Sequence, residues 1–332
     1  MPVPAIVTAG DGSAARAVCG ESKVYLEIEG RPLVARVVAA LQRVPEVSEV
    51  WVIGNAERLE QVFSRSEIRA ELVKPLHILP QFRHLWENCW EAYRRVLPGA
   101  GPDGRDPESE SDLEVQPLFL SGDLPFATPQ EISEFIRRAQ ADGCDYAAGV
   151  VLEEALESFL PSEPGGPGIQ VAYFNMREAR VRQSNLHLVK PGRLGNRHYI
   201  EEMYQHRHQR EFWDMLALAW TLLRSRQGGF SVLLLYSLMH LAGIADRWRW
   251  RQVADWLRNR VSQPRVEAAV SKLLATRLRF IATEVGGCAV DVDTEQEYDT
   301  VRQCFAEWSK SQAVRAEALY GPLPLPEPGE RG

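Results

Sequence analysis

No two cysteines in this chain lie close enough in sequence to form a metal knuckle or a redox pair. The five, Cys19, Cys89, Cys144, Cys288 and Cys304, are widely scattered with no CxxC. That excludes zinc-ribbon and thioredoxin-type motifs and suits reduced thiols in a cytoplasm better than a disulfide framework. A basic balance is missing too. Lys and Arg total 38 against 45 Asp and Glu, a formal charge of −7, which argues against a general nucleic-acid binder but permits a local pocket for a small anion. The opening "MPVPAIVTAGDG" lacks the basic region and the apolar run of a secretory leader. Long apolar runs are scarce as well. The nearest is "GFSVLLLYSLMHLAGIA", residues 229–245, which is short for a comfortable span and carries His240. A buried helix is expected there rather than a membrane span, and no internal repeat is visible.

What remains is an ordinary globular balance, 45% hydrophobic and 25% charged over 332 residues, enough for one large or two modest domains. Residues 4–9 read as a strand, 30–44 as an amphipathic helix with Pro32 near its start, and 48–54 as a second strand. "LWENCWEAYRRVL" (85–97) has helical spacing. "PGAGPDGRDPESESDLEVQP" (98–117), rich in Pro, Gly and acid, predicts a mobile surface loop. An apolar strand then ends in Ser121-Gly122-Asp123, and Thr128-Pro129 opens a helix with Glu131 as its capping-box partner. "CDYAAGVVL" is a further strand.

This alternation predicts an α/β fold, a mainly parallel sheet with helices on both faces and ligands at the carboxyl ends of its strands. After a Pro/Gly break at 161–168, "VAYFNM" and "SNLHLVKP" read as strands. Residues 196–279 read as a helical insertion, and strand, acidic turn and helix return from 280. The expected organisation is an α/β domain over 1–195 and 280–310, the insertion, and a tail over 311–332.

Four features carry chemistry. The loop Ala9-Gly10-Asp11-Gly12-Ser13, running on to Arg16, follows the first strand, where glycines let backbone N–H groups approach a polyphosphate and Arg16 adds a cation. The residues alone equally allow a plain strand-to-helix turn. Lys23 follows seven residues after Arg16 and is placed to stabilise a transferred group, or is simply a solvated lysine. Asp123 ends a strand where a hard cation binds, or serves as a turn residue. Asp291 and Asp293 in "AVDVDT" are expected on one side of an extended strand, where paired carboxylates repel unless a metal or a cation compensates them; helix capping is the alternative.

In this order and context, "TAGDG", Arg16, Lys23, "GRPLVARVV" (30–38), "LSGDLPF" (120–126) and "DVDTEQEY" (291–298) resemble the nucleotidyltransferases with a Rossmann-like sheet. That family includes the molybdenum-cofactor guanylyltransferases and the sugar-1-phosphate nucleotidyltransferases. The resemblance covers about 4–150 and 280–305. It implies a Mg²⁺- or Mn²⁺-dependent transfer of NMP from an NTP to a small phosphorylated acceptor, with release of pyrophosphate. It also implies that loop 10–16 holds the β- and γ-phosphates, Lys23 steadies the α-phosphate, and Asp123 with Asp293 or Asp291 binds the metal. Three residues rather than one separate Gly12 from Arg16, Ser22 stands where the family has proline before the lysine, and Asp11 puts an acid beside the triphosphate.

Asn185, Lys190, Arg193 and Arg197, just after a strand, are candidates for an anionic acceptor or are exposed loop residues. His198, His206 and His208, with Glu201 and Glu202 nearby, suit phosphate contact with Arg193, Arg197 and Arg207 better than metal ligation. "ADRWRWRQVADWLRNR" (245–260) predicts Arg–Trp packing within the helical part or at a homodimer contact, ahead of a membrane interface. Two other functions stay open: a glycosyltransferase of the related nucleotide-sugar fold, and a non-catalytic NTP-binding regulator.

Overall fold

The structure, a computed structural model, describes residues 2–11, 17–161, 163, 166–197, 199 and 229–324. Among these, eight strands form one sheet. They are β1 (Val3–Ala9), β2 (Val47–Gly54), β3 (Leu76–Pro80), β4 (Leu118–Ser121), β5 (Tyr146–Leu152), β6 (Phe174–Asn175), β7 (Arg180–Val189) and β8 (Leu278–Thr283). The order across the sheet is β8-β5-β7-β4-β1-β2-β3, with β6 on β7. All pairings among β1, β2, β3 and β4, and that of β5 with β8, are parallel. β7 alone runs against its neighbours β4 and β5.

The parallel strands are nearly all apolar because both faces are covered, which is why they read as continuous hydrophobic runs. One face carries α1 (Leu33–Gln42), α2 (Ala56–Ser64) and α4 (Pro129–Asp142), packed over a core with Val7, Val52, Leu120, Phe135 and Ile136 at its centre, and α8 (Glu295–Tyr320), which lies against α4 and packs Val301, Phe305 and Trp308 on Phe126 and Phe159. The other carries α3 (Leu85–Val96) at one end, and α5 (Gly229–Arg247) and α7 (Gln263–Leu274) at the other, with α6 (Arg251–Arg258) on α5. α3 packs on Ile6, Ile53 and Phe119, whereas α5 and α7 pack on Val150, Met176 and Val181. The centre of that second face lies between these two cores.

The α/β reading therefore holds, with one strand reversed. Several expectations are corrected. Residues 98–117 are not a loose loop. Arg105 forms a bidentate ion pair with Asp112, and a capped helical turn, Glu110–Leu113, follows. The helix expected to end near 310 runs on to Tyr320, whose hydroxyl donates to Glu284. "VAYFNM" contributes only the two residues of β6. α5 is not a buried helix: its 18-residue apolar window is 28% buried. It buries Leu235, Met239, Ala242 and Ala245 and leaves Phe230, Leu234, Leu241 and Ile244 exposed. By length and composition α5 could cross a membrane; here one stripe of it packs on α6, α7 and β6. Trp248, Trp250 and Trp256 are likewise exposed, but the expected Arg–Trp packing is present in this stretch, with Arg260 stacked on Trp256 at 3.4 Å.

Candidate functional site

The site forms at the carboxyl ends of β1 and β4. Ala9 ends β1 opposite Gly54 of β2, and the approach is so close that a Cβ on Gly54 would lie 2.3 Å from the Ala9 carbonyl oxygen. The chain leaves through Gly10 and Asp11, whose N–H donates to Gln81 Oε1 at 3.1 Å. Gly12, Ser13 and Arg16 lie outside the described residues, as do His198, Glu201, Glu202, His206, Arg207 and His208. The chain returns as a two-residue hairpin, Ala17–Val18 with Glu21–Ser22, and enters a 3₁₀ turn that begins at Lys23. This places Lys23 over the end of β4 with only 9% exposure.

The Lys23 ammonium lies 3.4 Å from Asp123 Oδ2 and 2.5 Å from Asp293 Oδ1. Burial pulls its pKa down, but the Asp123 and Asp293 charges outweigh this and hold it above the ordinary lysine value. Asp123 is nearly buried and also accepts from the Ser121 hydroxyl. Asp291, partly buried, pairs with Arg182 Nη2 at 3.0 Å. Burial pushes its pKa up to about 6, helped by the Asp123 and Asp293 charges and opposed by Arg182 and Lys23.

Asp291 and Asp293 do not belong to a strand. They follow a 3₁₀ turn, Gly287–Ala289, and lead directly into α8. There the capping alternative is also realised, since Thr294 accepts from Glu297 N and Glu297 reaches back to Asp293 N. That turn is fixed from below. Glu131, fully buried, accepts from Cys288 N and from the Thr283 hydroxyl, each at 3.0 Å. It is not the capping-box partner expected in α4; its carboxylate reaches away from the N-cap to the acidic turn. A Cβ on Gly287 would meet the Phe126 carbonyl oxygen at 1.9 Å, so only glycine lets this turn lie against the segment after Asp123.

Of the four acceptor candidates, Asn185 alone lies near the carboxylates, its Nδ2 3.4 Å from the Cys288 carbonyl. Lys190 pairs with Glu114 and Asp145, Arg193 with Glu110 and Glu114, and Arg197 stacks on Trp90 at 4.4 Å. The cause is the direction of β7. Because it is antiparallel, its last residues fall beside Pro117 and Leu118, at the amino end of β4. Its earlier residues Arg182, Gln183 and Asn185 reach the site instead. Sequence reasoning passed over Arg182 and Gln183 because alternation marks a strand but not its direction. It also missed Arg58, 3.9 Å from Asp11 and stacked on Tyr25 at 3.8 Å. This guanidinium pairs with Glu21 at 2.8 Å and also lies within ion-pair reach of the acid that stood out in the loop.

The donor chemistry can be weighed against a metal. Three carboxylates, Asp123, Asp291 and Asp293, face two cations, Lys23 and Arg182, which leaves an acidic excess. Among the described residues no three His, Cys, Asp or Glu side chains form a complete ligand cage. Mg²⁺ needs none, because it is held by one or two carboxylates plus substrate phosphates. Hard oxygen donors without thiols or imidazoles fit Mg²⁺ or Mn²⁺. Beside them a cavity of about 510 Å³ opens on the sheet, with Thr8, Ser121, Asp123, Gln183, Asn185 and Asp291 in its wall.

No family model matches the chain. Over 140 residues it is 26% identical to 2-C-methyl-D-erythritol 4-phosphate cytidylyltransferase of Chlorobium luteolum, a match spanning 42% of this chain and 54% of that protein. The chain thus spans about half the length of that curated relative. Among solved structures it is similar to a hypothetical transferase from Thermus thermophilus, with TM-score 0.55 and 22% identity over 90% of this chain and 99% of that one. This likeness shows a shared fold.

Proposed function

We propose that the chain is a Mg²⁺- or Mn²⁺-dependent nucleotidyltransferase that moves NMP from an NTP to a small phosphorylated acceptor. The observation that carries this reading is the convergence of Lys23, Asp123, Asp291 and Asp293, from three distant parts of the sequence, at the end of the first strand and its glycine-rich loop. In the reaction an acceptor phosphate oxygen attacks the α-phosphorus. The new P–O bond forms as the bond to the bridging oxygen breaks, and that electron pair leaves with pyrophosphate.

Little covalent work falls to the protein; it positions groups and neutralises charge. The metal, held by Asp123 with Asp293 or Asp291, would neutralise the triphosphate. Lys23, released from those carboxylates, meets the charge that develops on the α-phosphate. Ala9, Gly10 and Asp11 start the loop that, with Gly12, Ser13 and Arg16, receives the β- and γ-phosphates, and Arg58 offsets Asp11. The match to a cytidylyltransferase makes CTP the first nucleotide to test.

The test is pyrophosphate release with CTP and the other NTPs, Mg²⁺ and a panel of phosphorylated acceptors. Asp123→Ala should abolish metal-dependent turnover while the protein still melts cooperatively, and Lys23→Ala should lower kcat by about 10²- to 10³-fold. Turnover that survives Asp123→Ala refutes the metal assignment. Tight NTP binding without pyrophosphate release across the panel favours the non-catalytic regulator.

A further inference from the structure

The cavity beside the carboxylates extends well beyond them and changes character along its length. Strand register orients it. Thr8 pairs with Ser121 at the carboxyl ends, whereas Tyr146 pairs with both Val189 and Leu278 at the amino ends. At the first end the wall holds Ser121, Asp123, Asn185 and Asp291; toward the second it holds Val189, Leu194, Leu274 and Leu278. Val150 of β5, Met239 of α5 and Val270 of α7 flank the middle. These side chains are turned away from bulk water, since Val150, Met239, Leu274 and Leu278 are all buried. Among the described residues, α3 and the α5/α7 pair cover opposite ends of this sheet face and leave the strands between them uncovered.

We infer that the acceptor is a phosphorylated amphiphile, with its phosphate at the polar end of the cavity, where Lys23 and Arg182 face the carboxylates, and a hydrocarbon chain lying along the sheet under α5 and α7. This deepens the nucleotidyl-transfer reading and rests on it for the role of the phosphate. Toward Leu274 and Leu278 the polar groups in the wall are Tyr146 and His187, bonded to each other, so most hydroxyls of a sugar or polyol there would lack partners, which binding sites avoid. A chain of methylene groups has no such demand. At the roughly 30 Å³ that a water-sized group occupies, 510 Å³ holds on the order of fifteen carbons. A second observation agrees. The outer side of the same helical layer exposes Phe230, Leu241, Ile244, Trp248 and Trp250 beside Arg251, a mixture of apolar, aromatic and basic groups suited to a lipid headgroup region.

Binding of a series of n-alkyl phosphates, from butyl to octadecyl, is measured by calorimetry on the full chain with Mg²⁺ and without nucleotide. Affinity should rise about fourfold per methylene and level off near the length the cavity accommodates. Val270→Trp should move the plateau to shorter chains and Leu274→Ala to longer ones. Leu274→Ala removes bulk and carries the test if the tryptophan variant does not fold. A second arm presents a long alkyl phosphate in phosphatidylcholine vesicles. Chain-dependent binding in solution only identifies a free metabolite, and binding in vesicles identifies a lipid; both support the inference. No chain-length dependence in either arm overturns it, as does a plateau that stays put in cooperatively melting variants. Pyrophosphate release is read separately. Release with short polar acceptors and no alkyl phosphate binding sinks this inference alone, and alkyl phosphate binding without release under any condition sinks only the transferase reading.

Discussion

Replacing Glu131 with glutamine should make the protein more stable at alkaline pH and should change how its stability depends on pH. The carboxyl is 0% exposed, and burial outweighs its bonds from Cys288 N and Thr283, so its pKa rises from 4.5 to about 7. A raised acid binds a proton in the folded chain at pH values where the unfolded chain has lost it. Its stability contribution is therefore complete below pH 4.5, declines from there to about 7, and is flat above. At 1.36 kcal/mol per unit, the full loss is of order 3 kcal/mol, of which roughly 2 to 3 falls between pH 5 and 8.5. An amide is neutral throughout. It can accept from Cys288 N with its oxygen and donate to the Thr283 hydroxyl with its nitrogen, so both partners stay satisfied. Urea unfolding of both proteins at pH 5, 6, 7 and 8.5 should show the variant gaining on the wild type by roughly 2 to 3 kcal/mol across that range. Taking the difference of differences cancels every other titrating group. A gap that stays constant with pH would refute the claim that Glu131 carries its proton into the fold near neutrality.

Asp112→Ala should speed proteolytic cleavage within 98–117, because Arg105 loses the carboxylate that it holds well below the usual range. Unchanged cleavage would show that the segment is pinned by other contacts. Gly54→Ala should lower stability by about 1–3 kcal/mol or more through overpacking, since the new methyl meets the Ala9 carbonyl at 2.3 Å; a melting curve reads it directly. Arg58→Ala removes the cation that Glu21 and Asp11 share at the loop and should raise the KM for NTP about fivefold, roughly 1 kcal/mol, with kcat little changed. A fall in kcat alone would give Arg58 a different role.

The sequence was most legible where the physics is local. Apolar runs identified β1 and β2 and a 3.6-residue period identified α1, and Thr128 caps α4 as its position before Pro129 predicts. Asp123 was singled out because it follows directly on the fourth strand, where backbone direction alone puts a residue at the ligand end of the sheet, and Lys23 because of its spacing, seven residues after Arg16 and seven before Gly30. The same local logic misjudged 98–117. Composition marks that stretch as loop-forming, but the ion pair that ties it down joins residues whose pairing composition cannot show.

Burial of α5 failed for a similar reason. Nearly all its residues are apolar, so no stripe in the sequence says which side meets the sheet. Sequence by itself determined the α/β class, the glycine-rich exit from β1 and the order in which the charged residues occur. Only the tertiary structure decided that β7 runs backwards, sending Lys190, Arg193 and Arg197 away from the carboxylates and Arg182 and Asn185 toward them. It likewise decided that Glu131 anchors the acidic turn, that Arg58 sits between Glu21 and Asp11, and that, among the described residues, α3 and the α5/α7 pair leave a long apolar hollow between them on one sheet face. These are contacts between residues tens to hundreds of positions apart, and strand direction and helix docking, which no local periodicity encodes, bring them together.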